Sequence, residues 1–147
     1  MSDSKLDPEK IGPMLAETAR IWRNKLDARL KHLGLSQAKW LVLYHLSNTE
    51  VALTQKDLAE RLGIEGPTLV GLLNRLAANQ LIERRSSVRD RRSKFVILTP
   101  KANALIPQMQ KITLELRHEV LKEFQHSELM ACVQLLHQMK NRIEALP

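Results

Sequence analysis

The run Arg84-Arg85-Ser86-Ser87-Val88-Arg89-Asp90-Arg91-Arg92-Ser93-Lys94 places six cations and one anion within eleven residues. Leu81 and Ile82 precede it, and the apolar segment Phe95 to Leu98 follows. Two short apolar runs around a polar, charged connection predict a pair of strands joined by a basic loop. Val88 is the loop's lone apolar side chain, so packing of its own cannot hold it. Charge projected in this way predicts a polyanion partner. The whole chain carries a net charge of +7, and the loop supplies +5 of it, six cations against Asp90. The surplus is therefore local, which makes nucleic acid the first candidate partner and an anionic membrane the second.

Upstream of the loop the pattern is helical. From Met14, the residues Leu15, Ala19, Trp22, Leu26 and Leu30 recur at three- and four-residue steps, predicting a long amphipathic helix to about Leu33, closed by Gly34. Asp7-Pro8 or Gly12-Pro13 would open it. Ser36 is a suitable cap for a second helix over Gln37 to Leu46, apolar nearly all round at its centre and so predicted to be buried on several sides. Asn48 to Leu53 reads as a connection. Thr54 and Asp57 form a capping-box pattern for a third helix with Leu58, Ala59 and Leu62 inside, and Gly63 ends it. Pro67 opens a fourth helix to about Asn79, with Leu69, Val70, Leu73, Leu76 and Ala77 facing inward. Two helices joined by a tight glycine-containing turn outline a helix-turn-helix. With the basic hairpin next in line, the order is that of a winged helix.

Downstream, Thr99-Pro100 restarts helix, and a stripe from Leu105 to Phe124 runs to a break near Gln125-His126. Pro107 inside that stretch predicts a kink. Ser127 with Glu128 opens a last helix with Leu129, Val133, Leu136, Met139 and Ile143 on one side. The apolar stripes at the two chain ends exceed what either end can bury alone. They predict an intertwined homodimer, matching the two-fold symmetry of many DNA sites. The fold class is thus mainly α with a small β-hairpin wing: residues 1–35 and 100–147 as dimerisation helices, residues 36–99 as a winged helix-turn-helix DNA-binding lobe.

The totals fit this outline. A 147-residue chain with 44% apolar residues and only five aromatics builds its core from aliphatic side chains, which suits packed helices. One cysteine, Cys132, excludes an intrachain disulfide, and the start of the chain has no apolar core of signal-peptide length. The expectation is a soluble, cytoplasmic protein. The five histidines have no metal-site spacing, and no nucleophile elbow, phosphate loop or carboxylate pair points to catalysis. No cofactor, metal or membrane partner is expected.

Several pieces together resemble the MarR family of transcription regulators, and within it the SlyA-like branch. The most specific is Asp90-Arg91-Arg92-Ser93-Lys94 followed by Leu98-Thr99, similar to the family wing pattern Asp-x-Arg-x-Lys ending in Leu-Thr. Arg20-Ile21-Trp22-Arg23, Gln55-x-x-Leu58-Ala59 and Pro67-Thr68-Leu69-Val70 support it. The resemblance implies a homodimer with the fourth helix in the major groove and the wing in the minor groove. It implies Arg92 as the inserted arginine and Asp90 as the brace of the wing. It also implies a pocket for small aromatic carboxylates such as salicylate, onto which Arg20, Trp40 and Tyr44 map.

Three departures stand out against SlyA-like relatives. Gly71 replaces an arginine on the recognition helix, Gln80 replaces a glycine at its end, and Phe95 and Ile97 replace polar residues on the wing.

The DNA-contacting set predicted from these considerations is Gln55, Lys56, Pro67, Thr68, Gly71, Arg75, Arg84, Arg89, Asp90, Arg91, Arg92 and Lys94. Arg92 suits a narrow minor groove, where negative potential is concentrated. Thr68 and Arg75 suit base edges or phosphates, and Gln55 and Lys56 suit phosphates at a helix N-terminus. For Arg20, Trp40 and Tyr44 the plain alternative is two core aromatics and an interface ion pair. Cys132, between Leu129 and Val133, reads as a buried inert thiol, with a redox-responsive regulator as the alternative. The reading is a dimeric regulator binding an inverted repeat, by repression or by displacing a nucleoid protein. Its rival is a winged-helix protein-interaction module.

Overall fold

The computed structural model describes residues 6–86, 88 and 92–147. Its elements run in the order α1 (Ile11–Leu30), α2 (Gln37–Ser47), β1 (Leu53–Thr54), α3 (Gln55–Leu62), α4 (Gly66–Ala78), β2 (Ile82–Ser86), β3 (Lys94–Leu98), α5 (Pro100–Leu121) and α6 (His126–Glu144). The chain divides into two compact units, residues 1–113 and 114–147.

In the first unit, local chemistry explains most boundaries. Asp7 caps a single 3-10 turn, its carboxylate accepting from the Glu9 amide at 3.0 Å, and α1 begins at Ile11. A second 3-10 turn, Lys31–Leu33, ends at Gly34, whose φ of 71° is a conformation that costs glycine little. Ser36 Oγ accepts from the Lys39 amide at 3.2 Å and starts α2. The Gln37 amide donates to the Asp27 carboxylate, which ties the start of α2 back to α1.

The capping box of α3 is formed in full. Thr54 Oγ accepts from the Asp57 amide at 3.1 Å, and the Thr54 amide donates to the Asp57 carboxylate at 3.2 Å. These Thr54 hydrogen bonds hold the Asp57 carboxyl below the usual carboxylate range. A depressed carboxyl contributes stability that is present above its unfolded-state pKa and is lost as pH falls through the folded one. The capping box at the start of α3 is therefore expected to weaken as pH falls through the folded-state pKa of Asp57.

The core of this unit is aliphatic, as its composition predicts. Leu30, Val42, Leu43, Leu58, Leu69, Leu73, Leu76 and Met109 are the largest fully buried side chains. Val42, Leu43 and Leu46 are buried on α2, in line with its apolar centre.

Three strands form one antiparallel sheet in the order β1-β3-β2. The segment before Thr54, read as plain connection, contributes β1: Leu53 pairs with Val96, and Thr54 with Phe95. Two residues are too short for an alternation to show. In the hairpin, Ile82 pairs with Leu98, Glu83 with Ile97, Arg84 with Val96, Arg85 with Phe95 and Ser86 with Lys94. Side chains alternate across a strand, so Ile82, Arg84 and Val96 share one face while Glu83, Arg85, Phe95 and Ile97 share the other. Phe95 and Ile97 are half-buried there.

The end of α4 departs from local preference. Gln80 has φ 60°, a left-handed conformation that costs a non-glycine residue about 1 kcal/mol. The surrounding bonds explain its persistence. The Gln80 amide donates to the Ala77 carbonyl and the Leu81 amide to the Leu76 carbonyl, at 2.9 and 3.0 Å, which is a Schellman termination. Thr99 Oγ1 donates to the Gln80 carbonyl at 2.6 Å and accepts from the Ala102 amide, so it also caps α5.

Pro107 lies inside α5, which runs from Pro100 to Leu121. A proline at that place removes the donor that would meet the Asn103 carbonyl.

In the second unit, α6 starts one residue before the predicted Ser127. The Gln125 amide donates to the Glu128 carboxylate at 2.9 Å, so Gln125 is the cap. No residue of α6 is buried. Cys132, expected to be buried, is exposed. Leu129 and Val133, which flank it on the same helix, are not buried either.

Candidate nucleic-acid interface

Helix α4 turns Leu69, Leu72, Leu73 and Leu76 inward. At 100° per residue, that leaves Pro67, Gly71, Asn74 and Ala78 along the middle of the opposite face, with Thr68 and Arg75 on one flank. Pro67, Thr68, Asn74 and Arg75 are exposed and Gly71 is half-buried. The missing side chain at Gly71 does not leave a bare helix. Arg75 Nε donates to the Gly71 carbonyl at 3.3 Å, and a terminal guanidinium nitrogen lies 3.7 Å from where a Cβ on Gly71 would stand. The guanidinium of Arg75 thus lies back over the position where an arginine is expected from the family pattern.

Gln55 and Lys56, at the positive end of α3, line a shallow groove of about 610 Å³ together with Gly66, Leu69 and Val70 at the start of α4. Glu60 and Glu65 lie in the same groove. The groove therefore carries charge of both signs, with the cation at the α3 N-terminus.

The hairpin brings Lys94 to an exposed position at the start of β3, and Arg92 is exposed just before it. Arg89, Asp90 and Arg91 lie outside the described residues. Arg85 pairs with Glu83 on the same strand face at 3.2 Å, with both side chains largely exposed. An ion pair so open to solvent contributes little to stability.

Arg84 differs from its neighbours. It shares the inner face with Ile82, is half-buried, and donates from a terminal nitrogen to Asn74 Oδ1 at 2.8 Å. Its Nε is buried without a hydrogen-bond partner. Arg84, one of the wing cations predicted to meet DNA, thus reaches the recognition helix. Asn74 is not in the predicted set, although its spacing from Pro67 and Gly71 marks the same stripe.

Trp40 and Tyr44 stack with ring centroids 5.0 Å apart and planes at 21°. Trp40 Nε1 is buried without a hydrogen-bond partner. Tyr44 is 39% exposed, and Arg20 is exposed on α1. Among the described residues, no group of three or more His, Cys, Asp or Glu side chains is placed to hold a metal ion, and no helix is long and apolar enough to cross a membrane.

Comparison with known proteins agrees with this architecture. The sequence model of the MarR family matches residues 33–93. A solved structure of the transcriptional regulator PA3341 is 44% identical, covers 92% of this chain and 98% of its own, and superposes with a TM-score of 0.81. The MepR–DNA complex of S. aureus is 23% identical over 90% of this chain and 97% of its own, with a TM-score of 0.85, a likeness of fold. BpsR of Bordetella bronchiseptica, whose DNA binding is regulated by 6-hydroxynicotinic acid, is 25% identical over 90% and 94% of the two chains, with a TM-score of 0.80.

Proposed function

We propose, from the premise that this chain belongs to the MarR family of transcriptional regulators, that it is a homodimeric, sequence-specific DNA-binding regulator of the SlyA-like branch, acting in the cytoplasm. Proteins of this family are regulators and not enzymes. In this reading residues 36–99 form the DNA-binding lobe, and the helices in 1–35 and 100–147 pair two copies. Each recognition helix α4 enters a major groove of an inverted repeat. Arg92 enters the flanking minor groove, Arg89 and Arg91 lie near phosphates, and Asp90 braces the wing. Gln55 and Lys56 hold the backbone at the start of α3.

The observation that carries the reading is the lobe's own geometry. An outward α4 face with Thr68 and Arg75 stands beside a hairpin that leads into the basic loop, and the Arg84–Asn74 bond joins the two.

Selection from a random duplex pool with the purified protein tests it. An enriched inverted repeat is expected; a pool without enrichment would favour a winged-helix protein-interaction module. On the selected site, Arg92→Ala should weaken binding by about 1–3 kcal/mol, the range of a good base-edge contact. Affinity unchanged in a salt-controlled gel shift would remove Arg92 from the wing's role. Each phosphate neutralised adds about 0.9 to the salt slope.

A second reading concerns release from DNA. The stacked Trp40–Tyr44 pair and the unpartnered Trp40 Nε1 support a site for a small aromatic carboxylate, with the Arg20 guanidinium as the counter-charge. The ligand regulation of BpsR points to the same chemical class. Millimolar salicylate should therefore shift the DNA-binding curve to higher protein concentration. A curve that stays in place sinks this second reading and leaves the first intact.

A further inference from the structure

We infer that Asn74 is a base-reading residue of α4, and that Arg84 is a positioning residue that presents the Asn74 amide to the major groove with its donor side outward. The inference rests on the DNA-binding reading above and deepens it.

The middle of the outward face of α4 is Pro67, Gly71, Asn74 and Ala78, and of these only Asn74 has hydrogen-bonding groups on its side chain. Pro67 and Ala78 beside it are small and apolar, and the Arg75 guanidinium lies over Gly71, so Asn74 and Arg75 are the groups on this face that can meet a base edge. Free asparagine can turn either amide atom outward. Here it cannot do so at no cost, because Arg84 lies 2.8 Å from Oδ1. A guanidinium has donors and no acceptor, so the atom facing it must be the carbonyl oxygen. Turning the amide over would set N–H against N–H. Arg84 has little freedom to follow, since it stands on the inner strand face opposite the 2%-exposed Val96, and its own Nε is buried.

An amide held in this way offers only N–H groups to DNA. Guanine, with O6 and N7 side by side as acceptors, suits it best, and thymine with O4 comes next. Cytosine meets it with the N4 donor, and adenine with N6 beside N7. Asparagine usually reads adenine by using both amide atoms, and that mode needs the oxygen which Arg84 occupies. The sequence preference at one base pair of each half-site is thus set from the wing, by Arg84 acting through the Asn74 amide.

The test compares random-pool selections by the wild-type protein, Asn74→Ala, Asn74→Asp and Arg84→Met. The wild type should show guanine or thymine at one position of each half-site. Asn74→Ala should flatten that position, a loss of about five- to tenfold in discrimination, and leave the rest of the site unchanged. Asn74→Asp still pairs with Arg84 but offers only acceptors, so the position should turn to cytosine. Arg84→Met frees the amide, and adenine should rise at the same position, an outcome that a merely structural role would not produce. Asn74 is exposed, so its two variants decide the matter even where Arg84→Met fails to fold. A wild-type repeat with an Asn74→Ala profile unchanged at every position overturns this inference alone. A wild-type pool without any repeat overturns the regulator reading beneath it.

Discussion

Helices α4 and α6 carry apolar residues at the same three- and four-residue spacing, yet they end in opposite surroundings. On α4, Leu69 is 1% exposed and Leu73 and Leu76 are 0% exposed. On α6, Val133 is 62%, Leu136 39% and Ile143 66% exposed. Periodicity determines that a stretch is an amphipathic helix; whether the stripe is covered depends on what the rest of the chain supplies. The lobe around α4 has α2, α3 and a sheet to close over its leucines. The stripe of α6 remains as apolar surface that one chain leaves in water, and a second copy is the proposed cover.

The largest effect expected from this contrast is on assembly. Leu136→Asp places an unpaired carboxylate in the proposed interface, where burying a charge costs several kcal/mol per copy. Sedimentation should show monomers, and operator binding should fall with them, while the lobe keeps its circular-dichroism signal. A variant that remains dimeric would remove α6 from the interface. The second effect is on folding. Leu73→Ala leaves a hole in a fully buried site and should cost about 2–5 kcal/mol in urea unfolding; a much smaller cost would mean that the α4 side relaxes to fill it. The smallest is at the junction of helix and wing. Gln80→Gly relieves the left-handed residue, about 1 kcal/mol, but loosens the unfolded chain by about 0.4–1 kcal/mol, for a net stabilisation of no more than about 0.6 kcal/mol. A lower midpoint in thermal unfolding would show that the Gln80 side chain contributes more than its backbone costs.

Much of the lobe was legible because its signals are local. Ser36, Thr54, Asp57 and Gly63 each act on amides or carbonyls within a few residues of themselves, so their chemistry survives reading in one dimension. The wing was legible for a similar reason, as a dense charge run between apolar runs. Other features were not. β1 is two residues long and exists only because Val96 and Phe95 of β3 lie alongside it. The exposure of Cys132 depends on what fails to cover α6. Arg84 read as one more cation of the loop, and nothing in the run separates it from Arg85.

By itself, the sequence determined which segments are helical, where most of them begin and end, and that a basic hairpin follows a helix-turn-helix. These are consequences of side-chain chemistry acting over a turn or two. Only the tertiary structure decided that Arg84 faces inward to Asn74 while Arg85 faces outward to Glu83. That choice depends on the strand register against β3 and on the left-handed turn at Gln80, which together set the face of β2 that meets α4. Register is a pairing between distant parts of the chain, and no single stretch of sequence contains it.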